Sequence, residues 1–472
     1  MVSSFPSIAH GITDTLNQSL PQGIGSARRF HQRVNLQELE QAPQRIANDH
    51  AVTWLTLSNG LTLVHQEITT SVVAVDVWVK VGAAHDPVNG LGMAHFLEHM
   101  IFKGTEEIAP GEFDQLIEYQ GGSSNACTSL DYTHFHCTTA IARFSNTLPI
   151  LAQMLLAAKI DPTELAAERE VVLEELRQAL DDPDYCAVQQ LSANMYGDHP
   201  YGRAILGQEA TVESITPEQM QAFHRQYYRL ENMTVVVVGN ISQARAIEVV
   251  TAAFTPAITQ NHVILTQTLS SAASSSTLPT VTVKPQRYVT TLPQVQQGRF
   301  LMSWSGPGAT DSRGSVALDM IAAILCSGRT SRLVRQLREE KGWVQDIDAS
   351  FCLQEMGGMF MICAYLDREH VEPVEHLISE ILRDIAAGHI SPNELQRAQR
   401  NLCNGFTFGM ESPCQVANFL GYHGVIGCEG LYDLGNDTYC QVARSLTVAE
   451  ISAAAQTYLA PEIAVVAAYL PE

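Results

Sequence analysis

The 472-residue sequence is poor in charge, and the charge it carries is mostly of one sign. Charged residues make up 17%, with 28 Lys and Arg against 50 Asp and Glu, for a net charge of −22. A phosphate backbone wants a basic face, so this balance excludes a nucleic-acid binder. It suits basic or neutral peptide partners steered by charge, and plain solubility explains it as well. Long apolar runs are missing: no 18 consecutive apolar residues occur, so no transmembrane helix is expected. The start, Met1-Val-Ser-Ser-Phe-Pro-Ser-Ile8, lacks a basic segment followed by an apolar one and does not read as a secretory signal. The ten cysteines form no C-x-x-C pair, and Cys137, Cys326, Cys352 and Cys363 sit in apolar runs. That pattern excludes a disulfide framework and a cysteine-type metal site. It reads as free thiols in a reducing, cytoplasmic compartment.

What is present is a soluble composition, 46% apolar, in a chain too long for one core. Residues 1–48 show weak periodicity and read as an N-terminal extension, partly disordered. Asn59-Gly60 between two alternating runs marks a hairpin over Thr53–His65. A continuously apolar strand is expected over Ser71–Val81, and further strands over His134–Ala140 and Met233–Gly239. The serine-rich stretch within 265–285 reads as a linker between residues 49–264 and 286–472. The second half echoes the first. Gly306-Pro-Gly-Ala-Thr-Asp311-Ser-Arg-Gly314 mirrors Gly82-Ala-Ala-His-Asp86-Pro-Val-Asn-Gly90, and a helical pattern follows each.

The chemistry concentrates in Gly90–Gly104, which contains His95-Phe-Leu-Glu98-His99. Leu91, Ala94, Leu97 and Ile101 have helical spacing. On a helix, His95 and His99 share one face and can grip one metal ion. Glu98 lies on the flank of that face, able to reach a water on the metal without ligating it. This is the H-x-x-E-H, or inverzincin, arrangement. Burying two His and a Glu on one strip without partners costs about 2–7 kcal/mol per group, which a zinc ion would offset. Two histidines need a third protein ligand and an open fourth position. A second helix begins at Asp161-Pro162-Thr163-Glu164, with Asp as N-cap, and ends near Asp181-Asp182-Pro183. Glu168 and Glu175 on it are two turns apart and face the same way, with Val171 and Val172 between them, so that side is expected to pack inward. Glu170 and Glu174 should be solvated.

H-x-x-E-H followed about 75 residues later by E-R-x-x-x-x-x-E resembles the M16 metallopeptidases (pitrilysin, insulysin and the mitochondrial processing peptidases), above all their half-length branch. The resemblance spans residues 50–472. It implies an α+β fold of two homologous LuxS/MPP-like domains, each a mostly antiparallel sheet packed with helices. Only the N-terminal domain would hold metal, one Zn²⁺ per chain. It implies His95, His99 and Glu175 as ligands, Glu98 as general base and Glu168 as support from behind the ligands. Ser123–Thr133 resembles the family's cleft-lining edge strand, with Asn125 and Ala126 nearest a bound peptide. His199–Gly207 resembles a segment near the cleft. The family's substrate-holding Arg and Tyr fall on Arg338 and Gln345, so the Tyr is missing. Leu420-Gly421-Tyr422 looks like the missing piece, but Gln415 stands where its Arg is needed. Keeping every zinc residue while losing the Tyr points to a catalytic subunit whose half-length partner supplies an Arg/Tyr pair; a homodimer, or Gln345 itself donating, is the alternative. A non-catalytic structural subunit and a peptide-binding module of the same fold also stay open.

Overall fold

The structure is a computed structural model, and it describes residues 52–255, 281–291, 295–428 and 438–472. The extension 1–48 and residues 265–280 of the expected linker lie outside the described residues. Asn59-Gly60 turns the first hairpin, β1 (Thr53–Thr56) onto β2 (Thr62–Glu67), with Gly60 at φ +90°. The first sheet continues with β3 (Val72–Val79), β4 (Ser123–Thr128), β5 (Thr133–Ala140) and β6 (Met233–Gly239), in the spatial order β1-β2-β6-β3-β5-β4. The second sheet holds β7 (Gln286–Thr291), β8 (Gly298–Ser305), β9 (Val344–Cys352), β10 (Met359–Leu366) and β11 (Val465–Leu470), in the order β7-β11-β8-β10-β9.

The two orders superimpose. Removing β1 leaves β2-β6-β3-β5-β4 against β7-β11-β8-β10-β9, and in each sheet the first pair is parallel and the rest antiparallel. The echo in the sequence is therefore a duplicated fold. After β3 comes a histidine helix, Met93–Ile101; after β8 comes Ser312–Cys326, whose Leu318–Leu325 run is buried core. A helix pair, Pro162–Asp181 then Pro183–Tyr196, recurs as Pro392–Gly409 then Pro413–Val425.

The second member of each pair crosses to the other sheet. Ala187, Leu191 and Met195 pack with Leu301, Met361 and Ala467 of the second sheet. Val416, Ala417 and Leu420 pack with Val64, Ala74, Trp78 and Val236 of the first. Gly421 and Gly424 permit the close approach: a Cβ at 421 would lie 1.9 Å from the Trp78 indole nitrogen, and one at 424 would lie 2.8 Å from the Trp54 ring. Tyr422 donates to the Leu353 carbonyl. The Gly421-Tyr422 pair thus serves packing. Polar bonds close the seam between the halves. Asp131 accepts from the Tyr201 hydroxyl at 2.7 Å and from the Glu355 amide at 3.1 Å, and Lys80 pairs with Glu355 at 2.8 Å.

The glutamate helix Pro162–Asp181 starts as its sequence predicts, with Asp161 accepting from the amides of Thr163 and Glu164. One expectation fails: Val172 is buried, but Val171 is half exposed. At about 100° per residue the buried stripe centres on Leu165, Val172, Leu176 and Ala179. Glu168 and Glu175 lie at its edge and Val171 beyond it. Glu170 and Glu174 are exposed as expected.

Candidate metal centre

The histidine helix has no side-chain cap at its own first residue, because Gly92 sits there at φ +92°. Asp86, six residues upstream, does that work: its carboxylate accepts from the amides of Gly92 at 2.7 Å and Ala94 at 2.9 Å. The Arg203 guanidinium holds the carbonyls of Ala84 (3.0 Å) and Asp86 (2.7 Å). The His199–Gly207 segment therefore braces the start of the histidine helix. A carboxylate at the helix N-terminus is favoured by the peptide dipoles, although burial pushes the Asp86 carboxyl up to about 7.

His95 and His99, one turn apart, have ring centroids 4.8 Å apart. Glu175 comes to them from the glutamate helix: its Oε2 is 3.6 Å from His95 Nε2 and 3.2 Å from His99 Nε2. One donor atom from each of the three falls within 4.8 Å of the others, and among the described residues this is the single such cluster of His, Cys, Asp or Glu. His134 and His136 are not part of it; His134 lies 3.1 Å from Asp76 and stacks on Trp78.

Glu168 stands behind the cluster. Its Oε1 accepts from His99 Nδ1 at 2.9 Å, which leaves the Nε2 lone pair of a neutral His99 for a metal. Its Oε2 meets the ammonium of Lys103. Glu98 is buried outside the donor cluster, and Thr128 donates to its Oε2 at 2.5 Å. Thr128 comes from β4, so the sheet edge and the carboxylate are joined.

The electrostatics call for a cation. Burial pushes His95 down to about 4, with the neighbouring His99 adding to it. Burial also opposes a charge on His99, yet the Glu168 and Glu175 carboxylates outweigh it and push His99 up to about 9. A proton on His99 Nε2, facing Glu175 at 3.2 Å, thus occupies the place that a metal would take. His95 Nδ1 is buried with no hydrogen-bond partner. Two imidazoles and one carboxylate, with Glu168 orienting one imidazole from behind, form a zinc donor set, and these residues fit the ion. Burial raises Glu98 to about 7, while Thr128 works in the opposite direction.

β4 is an edge strand, paired to β5 alone. Asn125 on it is exposed and accepts from the Ala126 amide at 2.9 Å; Ala126 is half-buried. Arg338 lies in the other half, in a π-helix over Val334–Glu340, with its guanidinium on Asp346 (2.9 Å) and Glu339 (3.2 Å). It makes no bond to the cluster. Gln345 is exposed at a register break of the edge strand β9: Asp346 pairs with Tyr365 and Val344 with Leu366, which leaves Gln345 as the extra residue.

Thr128, Lys103, Asp86 and Arg203 were not singled out for these roles by sequence reasoning. Lys103 and Asp86 flank the motif and carry opposite charges at opposite helix ends, which is the one signal that points to them.

The chain matches known proteins over most of its length. Residues 61–209 match the family model described as insulinase, peptidase family M16, and residues 214–402 match the one described as the peptidase M16 inactive domain. An uncharacterized zinc protease of Mycobacterium leprae is 26% identical over 385 residues, 81% of this chain and 84% of its own. Zinc protease PqqE of Helicobacter pylori is 28% identical over 386 residues, 79% of this chain and 84% of its own. The crystal structure of a protease from Helicobacter pylori superimposes with a TM-score of 0.79 at 25% identity, covering 89% of this chain and all of that one. A peptidase M16 inactive domain from Pseudomonas fluorescens superimposes with a TM-score of 0.78 at 20% identity, covering 89% of this chain and 98% of that one. With both family models matched in succession along a chain of two duplicated α/β halves, the protein belongs to the M16 family of peptidases.

Proposed function

We infer that this chain is a zinc-dependent endopeptidase acting on peptides or unfolded segments, with one zinc per chain. The observation that carries it is the meeting of His95, His99 and Glu175 with a separate buried carboxylate, Glu98, beside them. Zinc at such a centre supplies polarisation of the scissile carbonyl and a lowered pKa for water. The rest is work for the chain's own residues. Glu98 accepts the proton of the attacking water on its carboxylate and passes it to the leaving amine. Thr128 holds one Glu98 oxygen, leaving the other free for the water. Glu168 fixes the ring of His99. A peptide lying along β4, past Asn125 and Ala126, would add a strand to the sheet edge, a mode that reads backbone more than side chain.

Residues 49–264 form the catalytic domain in this reading, and 286–472 its metal-free duplicate. In the duplicate, Arg338 is assigned to substrate binding, although Asp346 and Glu339 now hold it. With Gln345 in place of a Tyr, the oxyanion donor is assigned to a homologous half-length partner across a closed chamber. Such stabilisation is usually the largest single term in catalysis. Cys127, Cys137, Cys186, Cys326, Cys352, Cys363 and Cys414 are free thiols, in keeping with a reducing, cytoplasmic setting. No helix of the described residues is long and apolar enough to cross a membrane.

The test is hydrolysis of a quenched fluorescent peptide library, with zinc quantified, by the chain alone and mixed with a half-length homologue bearing the Arg/Tyr pair. Cleavage only in the mixture supports the heterodimer. Chelator-sensitive cleavage by the chain alone supports a self-sufficient peptidase and removes the role given to Gln345. Bound zinc without cleavage in either arm contradicts the enzyme reading.

A further inference from the structure

We propose that Lys103 is a positioning residue of the metal centre, acting through Glu168 on His99. The proposal rests on reading His95, His99 and Glu175 as the zinc ligands. The two oxygens of Glu168 are divided: Oε1 takes the His99 ring N–H at 2.9 Å, and Oε2 takes the Lys103 ammonium. A carboxylate with one occupied oxygen can rotate about its side chain; with both occupied it is held in one orientation, and so is the imidazole it carries. Glu168 is itself buried, so its outer oxygen depends on Lys103 for a partner.

Lys103 is well placed for this. It follows the last turn of the histidine helix, and its amide reaches the Met100 carbonyl at 3.1 Å. Gly104 comes next at φ +100°, where a Cβ would lie 2.3 Å from the Ile108 carbonyl oxygen, so the turn that leaves the helix has one course. The Lys103 side chain is 28% exposed. His99 and Lys103 both leave the end of one helix and close on a single carboxylate of the other, tying the two ligand-bearing helices together. A bland alternative exists: a cation near a helix C-terminus is favourable whatever it touches.

A double-mutant cycle on the full-length chain separates the two roles. Zinc affinity would be read by competition with a chromophoric chelator, and folding by thermal melting. Lys103→Met should weaken zinc binding by up to about 10-fold, the low end of the range of about 10- to 100-fold seen when the partner that itself orients a metal-binding His is removed. Lys103→Arg, which keeps the cation, should recover most of that loss. In a Glu168→Gln background, Lys103→Met should change zinc affinity little further, because the chain it completes is already broken. Lys103→Met binding zinc as tightly as the wild type would overturn the proposal, and so would losses that add independently of Glu168. Should Lys103→Met not fold, Lys103→Gln carries the same cycle. A wild-type chain that bound no zinc would overturn the metal reading itself, an outcome distinct from failure of Lys103 alone.

Discussion

Glu98→Gln should lower kcat/KM for peptide hydrolysis by about 10³-fold or more, roughly 4 kcal/mol of transition-state stabilisation, while leaving zinc bound. Glutamine has nearly the same shape, and its carbonyl oxygen can still accept from the Thr128 hydroxyl, so the buried site stays filled. It cannot take up a proton from water. Glu98 lies outside the three-donor cluster, so the metal should remain. Activity within tenfold of the wild type, at equal zinc content, would remove Glu98 from the role of base. The same group shapes the pH profile. It must be ionised to accept a proton, so the rate falls as pH drops through its pKa. Burial pushes Glu98 up to about 7, and the Thr128 hydroxyl opposes that shift. A bound dication would lower it from there. Thr128→Val removes the opposing bond, and the acid limb of kcat/KM should move to higher pH with zinc content unchanged. A limb that stayed in place would show that Thr128 does not tune the base.

Gly207→Ala should be the most damaging small substitution near the site. Gly207 adopts φ +75°, and a Cβ there would lie 2.3 Å from the Leu91 carbonyl oxygen and 2.7 Å from Gly92 Cα. Left-handed strain costs about 1–3 kcal/mol, and overpacking against backbone that cannot rotate away adds about 1–3 kcal/mol. The sum, roughly 2–6 kcal/mol, is a large part of a domain's stability. The clash falls on the residues that open the histidine helix, so zinc affinity should drop with stability. Gly111→Ala is the control: φ is +77° there, but no atom lies within 4 Å of the added Cβ, so strain alone applies, about 1–3 kcal/mol. Urea melts of both variants decide the matter. Equal destabilisation would mean that the close approach of Gly207 to Leu91 is relieved at little cost.

The parts of this molecule legible in the sequence are those written in local spacing. His95, Glu98 and His99 are fixed by the helical repeat, the glutamate helix by its Asp161-Pro162 start, and the first hairpin by Asn59-Gly60. The duplication was visible as a repeated glycine-bounded loop, and the matching strand orders show how far it extends. Contacts between distant segments were not legible. Thr128 reaches Glu98 across thirty residues, and a lone threonine carries no pattern. The crossing of Pro413–Val425 to the first sheet brings Gly421 against Trp78, a fit of shapes that periodicity does not encode. The two-turn spacing of Glu168 and Glu175 does not show that they lie at the edge of the buried stripe, which leaves Val171 exposed. The place of Arg338 in a motif does not reveal its bonds to Asp346 and Glu339, nor the π-helix that carries it.

The most direct test of the centre is X-ray absorption at the zinc edge on the zinc-loaded chain, with the metal counted per chain. One zinc with a shell of two imidazoles and oxygen, whose binding is lost in Glu175→Ala, is the expected result. A sulfur shell, or zinc that survives unchanged in Glu175→Ala, would contradict the assignment of His95, His99 and Glu175 as the ligands.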